Sequence, residues 1–284
     1  MNVLGEGQSR GGISILHALG LGKGCSIGID LFIKVELIDE INENPEDKHA
    51  LLDSVMACWE EAGLPTIPQY GWKISSEIPI GYGLKSSSAL ACAAIKSLNS
   101  ALWTKLNDEE IVNLAVEAQR RAGCTITGSV DDSWGSITKG WKLIDSTRKI
   151  SDSILIEGEI EDKLCVLIGI RGSRSSKIST ESFSQYHELF ERSLTSLKKG
   201  DIFAAMTTNG VAVAAASEDD EALRICNSAI IKGAISAGIS GSGPAISIIC
   251  HESEISDISE LLMDNGMAVI ETSLPHSTER SVPI

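Results

Sequence analysis

Aromatic side chains are scarce in this chain: five Trp, three Tyr and four Phe make up 4% of its 284 residues. With few large rings and many small residues, its helices are expected to pack closely. Basic residues are also short, 24 Lys and Arg against 39 Asp and Glu, for a net charge of −15. No stretch resembles a basic face, which argues against a nucleic-acid partner. An anionic ligand must then be caught by local N–H groups, a metal or a few basic residues, not by the field of the whole molecule. Cys-x-x-Cys pairs are missing. The seven cysteines (25, 58, 92, 124, 165, 226 and 250) are odd in number and mostly apolar in their flanks, so they are expected to be buried thiols in a reducing compartment, not zinc ligands. No apolar run approaches membrane length. Met1 to Gly7 has neither the basic region nor the apolar core of a signal peptide. The expected setting is cytoplasmic, with no membrane partner and no prediction of oligomeric state. Internal repeats, low-complexity tracts and the P-loop pattern Gly-x-x-x-x-Gly-Lys-Ser/Thr are likewise absent.

What is present centres on Pro79-Ile80-Gly81-Tyr82-Gly83-Leu84-Lys85-Ser86-Ser87-Ser88-Ala89. Trp72 to Ile78 before it alternates like a strand, and Leu84 to Ala101 after it has the Ala- and Leu-rich composition of a helix. The stretch is therefore a glycine turn leading from a strand into a helix. Gly81 and Gly83 allow positive φ and close approach to a ligand. The three serines fall on the first helical turn, where backbone N–H groups lack intrahelical partners. With the helix dipole they form a phosphate cradle, to which Lys85 adds a charge. A single Ser would suffice as an ordinary N-cap; three behind two glycines exceed that need. Gly81-Tyr-Gly83 also approaches a dinucleotide fingerprint, but residues 101–107 lack the acid and the strand it requires.

Two further segments carry chemistry. Residues 123–140 place Asp131 and Asp132 in a Gly-, Ser- and Thr-rich loop. Two acids there either cap a helix or abstract and orient a hydroxyl proton. Gly238-Ile-Ser240-Gly241-Ser242-Gly243-Pro244 reads by itself as a helix C-cap and turn leading into strand 245–250. All three segments, in this order, resemble the motifs of the GHMP small-molecule kinases. Together with Gly22-Lys23-Gly24-Cys-Ser-Ile-Gly28-Ile-Asp30 they are most similar to the archaeal type of shikimate kinase.

The resemblance implies an α+β GHMP kinase fold. Its first part, residues 1–155, would be like ribosomal protein S5 domain 2 and bind ATP; its second, 156–284, would be ferredoxin-like. It implies ATP and Mg²⁺ as cofactors and shikimate as the small-molecule substrate, phosphorylated on its 3-hydroxyl. Homoserine kinase, another small-alcohol kinase of the family, and a non-catalytic nucleotide-binding relative stand as alternatives. The 79–89 segment, Gly241, Ser242 and Gly243 would hold the nucleotide. Asp131 would take the proton or position the hydroxyl; Asp132 would act beside it or bind substrate. Ser87 is matched to the metal-binding serine, with Ser88 the next choice, and Glu117 is the nearest match to a metal-binding glutamate. Lys23 and Asp30 would contact substrate. Arg171 and Arg174, in a basic loop after the buried strand 164–170, suit bidentate capture of a substrate carboxylate. Helices are expected at 50–62, at 108–122 behind an Asn107/Glu110 capping box, at 179–198, at 201–215, at 217–236 capped by Ser217, and at 254–266. Strands are expected at 25–37, 245–250 and 267–272.

Overall fold

The computed structural model describes residues 2–42, 47, 49–160, 163–172 and 179–275. Two antiparallel sheets carry the helices. The first is organised around a long strand, β2 (Lys23–Ile38). Strand β1 (Val3–Leu16) runs along one edge of β2. Strand β3 (Gly71–Ser76) pairs with its far half and β4 (Trp141–Asp145) with its near half, and β5 (Ile154–Gly158) adds to β4. The first sheet therefore extends to Gly158, and the second begins at β6 (Cys165–Ile170).

That second sheet takes the order β7 (Ser236–Ile239), β8 (Ile246–Cys250), β6, β9 (Ala268–Ser273). Helices α5 (Thr180–Gln185), α6 (His187–Lys198), α7 (Ile202–Ala216) and α8 (Asp220–Ile231) connect β6 to β7, and α9 (Ile255–Asp264) connects β8 to β9. This is the ferredoxin-like arrangement that the resemblance implies. One apolar cluster, from Ile13 and Trp59 through Phe190 to Ile248, runs through both halves.

In the first half, α2 (Ser86–Leu102) and α4 (Val130–Ile137) pack on the first sheet, and α1 (Leu51–Glu61) and α3 (Asp108–Arg121) pack against the helices. Helix α2 lies directly on β1, and glycines make room: a Cβ on Gly5 would sit 2.4 Å from Ser97 O and one on Gly7 2.0 Å from Ala93 O. Strand β1 is thus glycine-rich and escaped prediction over its first ten residues. The capping box of α3 forms: Glu110 N–H donates to Asn107 Oδ1 at 3.0 Å and Asn107 N–H donates to Glu110 Oε2 at 2.8 Å, a motif worth about 1 kcal/mol.

Three expectations change. The helix expected over 217–236 is α8, capped by Asp219, whose carboxylate accepts from Ala222 N–H at 3.0 Å. Ser217 instead turns back and donates to Val213 O at 2.7 Å. The segment from Gly238 starts inside β7, not at a helix end. The two acids of 123–140 lie on the first turn of α4, not in a loop.

Candidate active site

The heads of α2 and α4, the end of β1 and the 239–244 loop surround one open cleft of about 280 Å³. Gly81 and Gly83 have φ of +86° and +80°, and Lys85 enters the left-handed region at φ 64° to start α2. Ala89 N–H makes the first helical bond, to Lys85 O at 3.0 Å. The N–H groups of Ser86, Ser87 and Ser88 precede it and are the unpaired donors of a helix start. All three serines line the cleft, as do Ile80, Gly81, Gly83 and Lys85. The 239–244 loop locks against this turn. Ser240 Oγ donates to Gly83 O at 2.9 Å, and Gly241 N–H donates to Ser14 Oγ at 3.2 Å. A Cβ on Gly83 would stand 2.1 Å from Ser240 O, so only glycine permits this approach.

Helix α4 also starts from a left-handed residue, Ser129 at φ 50°. Its first turn sends Asp131 and Asp132 towards β2. Ser26 Oγ on β2 lies 3.0 Å from Asp131 Oδ2 and 2.8 Å from Asp132 Oδ1. Lys85 Nζ lies 2.8 Å from Asp132 Oδ1 and donates to Ser14 Oγ at 2.8 Å. Room for the Asp131 carboxyl comes from Gly24, where a Cβ would fall 2.5 Å from Asp131 Cγ.

The two neighbours titrate in opposite directions. Asp131 is 4% exposed. Burial, then the charge of Asp132, pushes its carboxyl up to about 7, against the pull of Lys85 and Ser26. Burial pushes Asp132 up too, but the charge and hydrogen bond of Lys85, with Ser26, outweigh it and hold that carboxyl below its usual range. The cleft thus joins an anion cradle to an aspartate with raised proton affinity. That is the equipment for moving a phosphoryl group onto a hydroxyl.

Residues 50–140 match the GHMP kinases N terminal domain. A shikimate kinase of Pyrococcus abyssi is 32% identical over 95% of this chain and 99% of its own length. The chain belongs to the archaeal-type shikimate kinases of the GHMP kinase family. A shikimate kinase of Methanobrevibacter smithii is 29% identical over 94% of this chain and 95% of its own. Among solved structures, mevalonate kinase of Methanococcus jannaschii superposes with a TM-score of 0.71 over 95% of this chain and 98% of its own, at 18% identity. Homoserine kinase of Cytophaga hutchinsonii does so with a TM-score of 0.65 over 95% of each chain, at 15% identity. These two likenesses establish the GHMP kinase fold.

Within that fold, several residues assigned to the site on the resemblance lie elsewhere. The side chain of Glu117 faces away and pairs with Arg120 at 2.6 Å. Asp30 is taken by Arg10 and by Ser273 Oγ, which donates to it at 2.6 Å. Lys23 sits opposite Asp145 in the β2–β4 ladder. The Arg171 guanidinium donates to Asp219 Oδ1 at 2.9 Å and to Pro244 O at 2.8 Å. Arg174 falls outside the described residues. Pro79, Tyr82, Leu84, Ala89 and Gly243 support the cleft without lining it, whereas Gly241 and Ser242 line it. Ser14, Ser26, His17 and Gln119 were missed. Gln119 is buried; its Oε1 accepts from Ser88 Oγ at 2.8 Å and its Nε2 donates to Ser133 Oγ at 3.1 Å, tying α2 to α4. The one signal for Ser26 was its position on a strand between Gly24 and Gly28.

Proposed function

We propose that this protein transfers the γ-phosphoryl group of ATP to the 3-hydroxyl of shikimate, giving shikimate 3-phosphate and ADP for chorismate and aromatic amino-acid synthesis. The observation that carries the reading is the meeting, in one cleft, of the serine-lined head of α2 with the buried Asp131 of α4. The full-length similarity to shikimate kinases supports the choice of substrate.

The phosphates lie against the N–H groups and hydroxyls of Ser86–Ser88 and the turn at Gly81–Gly83. An adjoining apolar slot lined by Ile33, Leu51, Ile74, Ile80 and Leu90 opens beside Ser86 and Ser87 and takes the base. Among the described residues lining the cleft, Lys85 is the sole Lys or Arg, and it is the cation that faces the transferred group. The acceptor enters between His17–Leu19 and Thr125–Ser129. Its hydroxyl proton passes to Asp131 as its oxygen bonds to phosphorus and ADP leaves. Catalysis rests mainly on position and charge, as is general for phosphoryl transfer.

Mg²⁺ is the cofactor proposed with ATP. Among the described residues no three His, Cys, Asp or Glu side chains cluster as a metal cage. Mg²⁺ does not need one, because it is commonly carried on nucleotide phosphates with few protein ligands. The oxygen-rich head of α2 fits that mode, with Ser87 as the residue that would touch the ion. The ion would supply neutralisation of phosphate charge. The seven cysteines are all unpaired, which supports a reducing, cytoplasmic setting. No described helix is long and apolar enough to cross a membrane.

The test is ADP release with ATP and Mg²⁺ and, in parallel, shikimate, homoserine or mevalonate. Turnover with shikimate alone is expected. Turnover with another alcohol instead would discard the substrate and keep the kinase. Silence with every alcohol, with ATP still bound, would remove the kinase reading.

A further inference from the structure

A serine hydroxyl has one proton to donate. Ser26 Oγ, 2% exposed, nevertheless stands within hydrogen-bond distance of two carboxylates, Asp131 Oδ2 at 3.0 Å and Asp132 Oδ1 at 2.8 Å. It cannot serve both at once. The two acids are not equally dependent on it. Asp132 has a second donor in Lys85 Nζ at 2.8 Å. Among the described side chains, Ser26 is the donor to Asp131. While Asp131 is ionised, the proton of Ser26 belongs there, and Lys85 suffices for Asp132. Once Asp131 is neutral, it has lost its charge-assisted claim, and Asp132 becomes the better acceptor.

We propose that the Ser26 hydroxyl is a positioning rotor for the base: it donates to Asp131 while that carboxylate is ionised and turns to Asp132 when Asp131 has taken the acceptor's proton. This rests on Asp131 being the base. The step balances. The proton of the acceptor O–H goes to Asp131, an acceptor electron pair forms the new O–P bond, and the bond to the bridging oxygen breaks with its electrons leaving on ADP. Rotation about one C–O bond then re-pairs the buried hydroxyl, with no heavy atom displaced. A carboxylate receives the donor in both states, so proton transfer leaves no buried charge stranded.

The other groups that act on the pair do not replace this role. Lys85, at the head of α2, stays with Asp132 and Ser14. His17, after β1, acts by its charge on Asp132. Cys25, beside Ser26 on β2, has its thiol pushed far up by burial and by Asp131, so it remains neutral. The hydrogen bond of Ser26 lowers the proton affinity of Asp131 and of Asp132 alike.

The experiment is the pH profile of kcat/KM for shikimate in wild type and Ser26→Ala, with the ¹³C titration of the Asp131 carboxyl as a readout that needs no turnover. A donor fixed on Asp131 would stabilise its ionised form alone, and its loss would raise that proton affinity; a rotor stabilises both states, so the effects of its loss largely cancel. The acidic limb and the ¹³C midpoint should therefore both stay within about 0.3 of a unit of wild type, while plateau kcat falls about tenfold because the base has lost its orienting donor, with KM for ATP unchanged. A ¹³C midpoint that moves up by about one unit would mean a donor fixed on Asp131, one that moves down a donor fixed on Asp132, and an unchanged kcat a hydroxyl without a positioning role; each would overturn the rotor. Asp131→Asn separates the two ideas. If it retains turnover with the wild-type acidic limb, Asp131 is not the base and the rotor falls with it. If that limb disappears in Asp131→Asn yet moves by about one unit in Ser26→Ala, the base stands and the rotor alone fails.

Discussion

The heads of α2 and α4 are built alike and equipped oppositely. Each helix starts from a left-handed non-glycine residue, Lys85 at φ 64° and Ser129 at φ 50°, and neither has a side-chain cap. Such residues cost roughly 1 kcal/mol or more apiece, so two at one cleft mark a place where geometry outweighs stability. The first turn of α2 carries three hydroxyls, and that of α4 carries two carboxylates. A helix start favours negative charge. At α2 that charge is left for a ligand to bring; at α4 the chain supplies it. One backbone device thus gives an anion site in one place and a proton acceptor in the other. The side chains at the second and third positions decide which.

Removing the charge on the α4 side should have the largest effect. Asp131→Asn is expected to lower kcat by about 10²- to 10⁴-fold while leaving ATP binding intact. The same change should stabilise the fold. The native carboxyl binds its proton more tightly than the unfolded one, so wild-type stability falls as pH rises from about 4, the unfolded value, to about 7. Asp131→Asn should therefore melt higher than wild type above pH 7, by several degrees, with the gain gone below about pH 4. Melting curves across that range check it. Equal melting temperatures at pH 8 would mean that Asp131 is not held at the expense of stability.

The α2 side should fail in another parameter. Gly83→Ala would combine positive φ with a Cβ 2.1 Å from Ser240 O, so the 239–244 loop must separate from the turn. KM for ATP should rise about tenfold or more, since small displacements of binding groups are costly. The ¹³C midpoint of Asp131 should not move. A lowered kcat at unchanged KM would show that the two heads are not separable.

Arg171 tests the comparison from outside the cleft. Its guanidinium ties the N-cap of α8 to the 239–244 loop, through Asp219 and Pro244 O. Arg171→Ala leaves Asp219 without this partner and should cost about 2 kcal/mol, seen as a lower Tm. KM for ATP should rise a few-fold through the loosened loop. KM for shikimate should stay constant; a rise there alone would restore the carboxylate clamp.

Much of this was legible in the sequence, for a reason that also marks its limit. The Gly81–Ala89 turn and the Asp131-Asp132 pair announce themselves because a helix start needs its special residues contiguous. Cations are different. Whether an arginine or lysine is available depends on acids distant in sequence: Asp219 for Arg171, Asp145 opposite Lys23. Asp30 was likewise spoken for by Arg10 and Ser273. Ser26 and Gln119 acquire meaning only when β2 and α3 are packed against α4. The opening of β1 was hidden because Gly5 and Gly7, required where α2 presses on the strand, erase its alternating pattern.

Glu117 should give the smallest effect, and it is the sharpest check on carrying a role over by position in the chain. On the resemblance it would hold Mg²⁺. In the structure it is an exposed residue of α3 paired with Arg120 one turn later, beside Arg148 and Lys149 on a groove apart from the cleft. An exposed pair at this spacing contributes under about 0.5 kcal/mol. Glu117→Ala should therefore change kcat, KM for ATP and the Mg²⁺ concentration for half-maximal rate by less than about twofold. A tenfold rise in that Mg²⁺ concentration would require α3 to turn towards the head of α2 when nucleotide binds. Buried Gln119, two residues on, holds Ser88 and Ser133 and would have to break both bonds for that turn. The fixed carboxamide and the predicted indifference of Glu117 are thus one claim: this helix braces the site from behind.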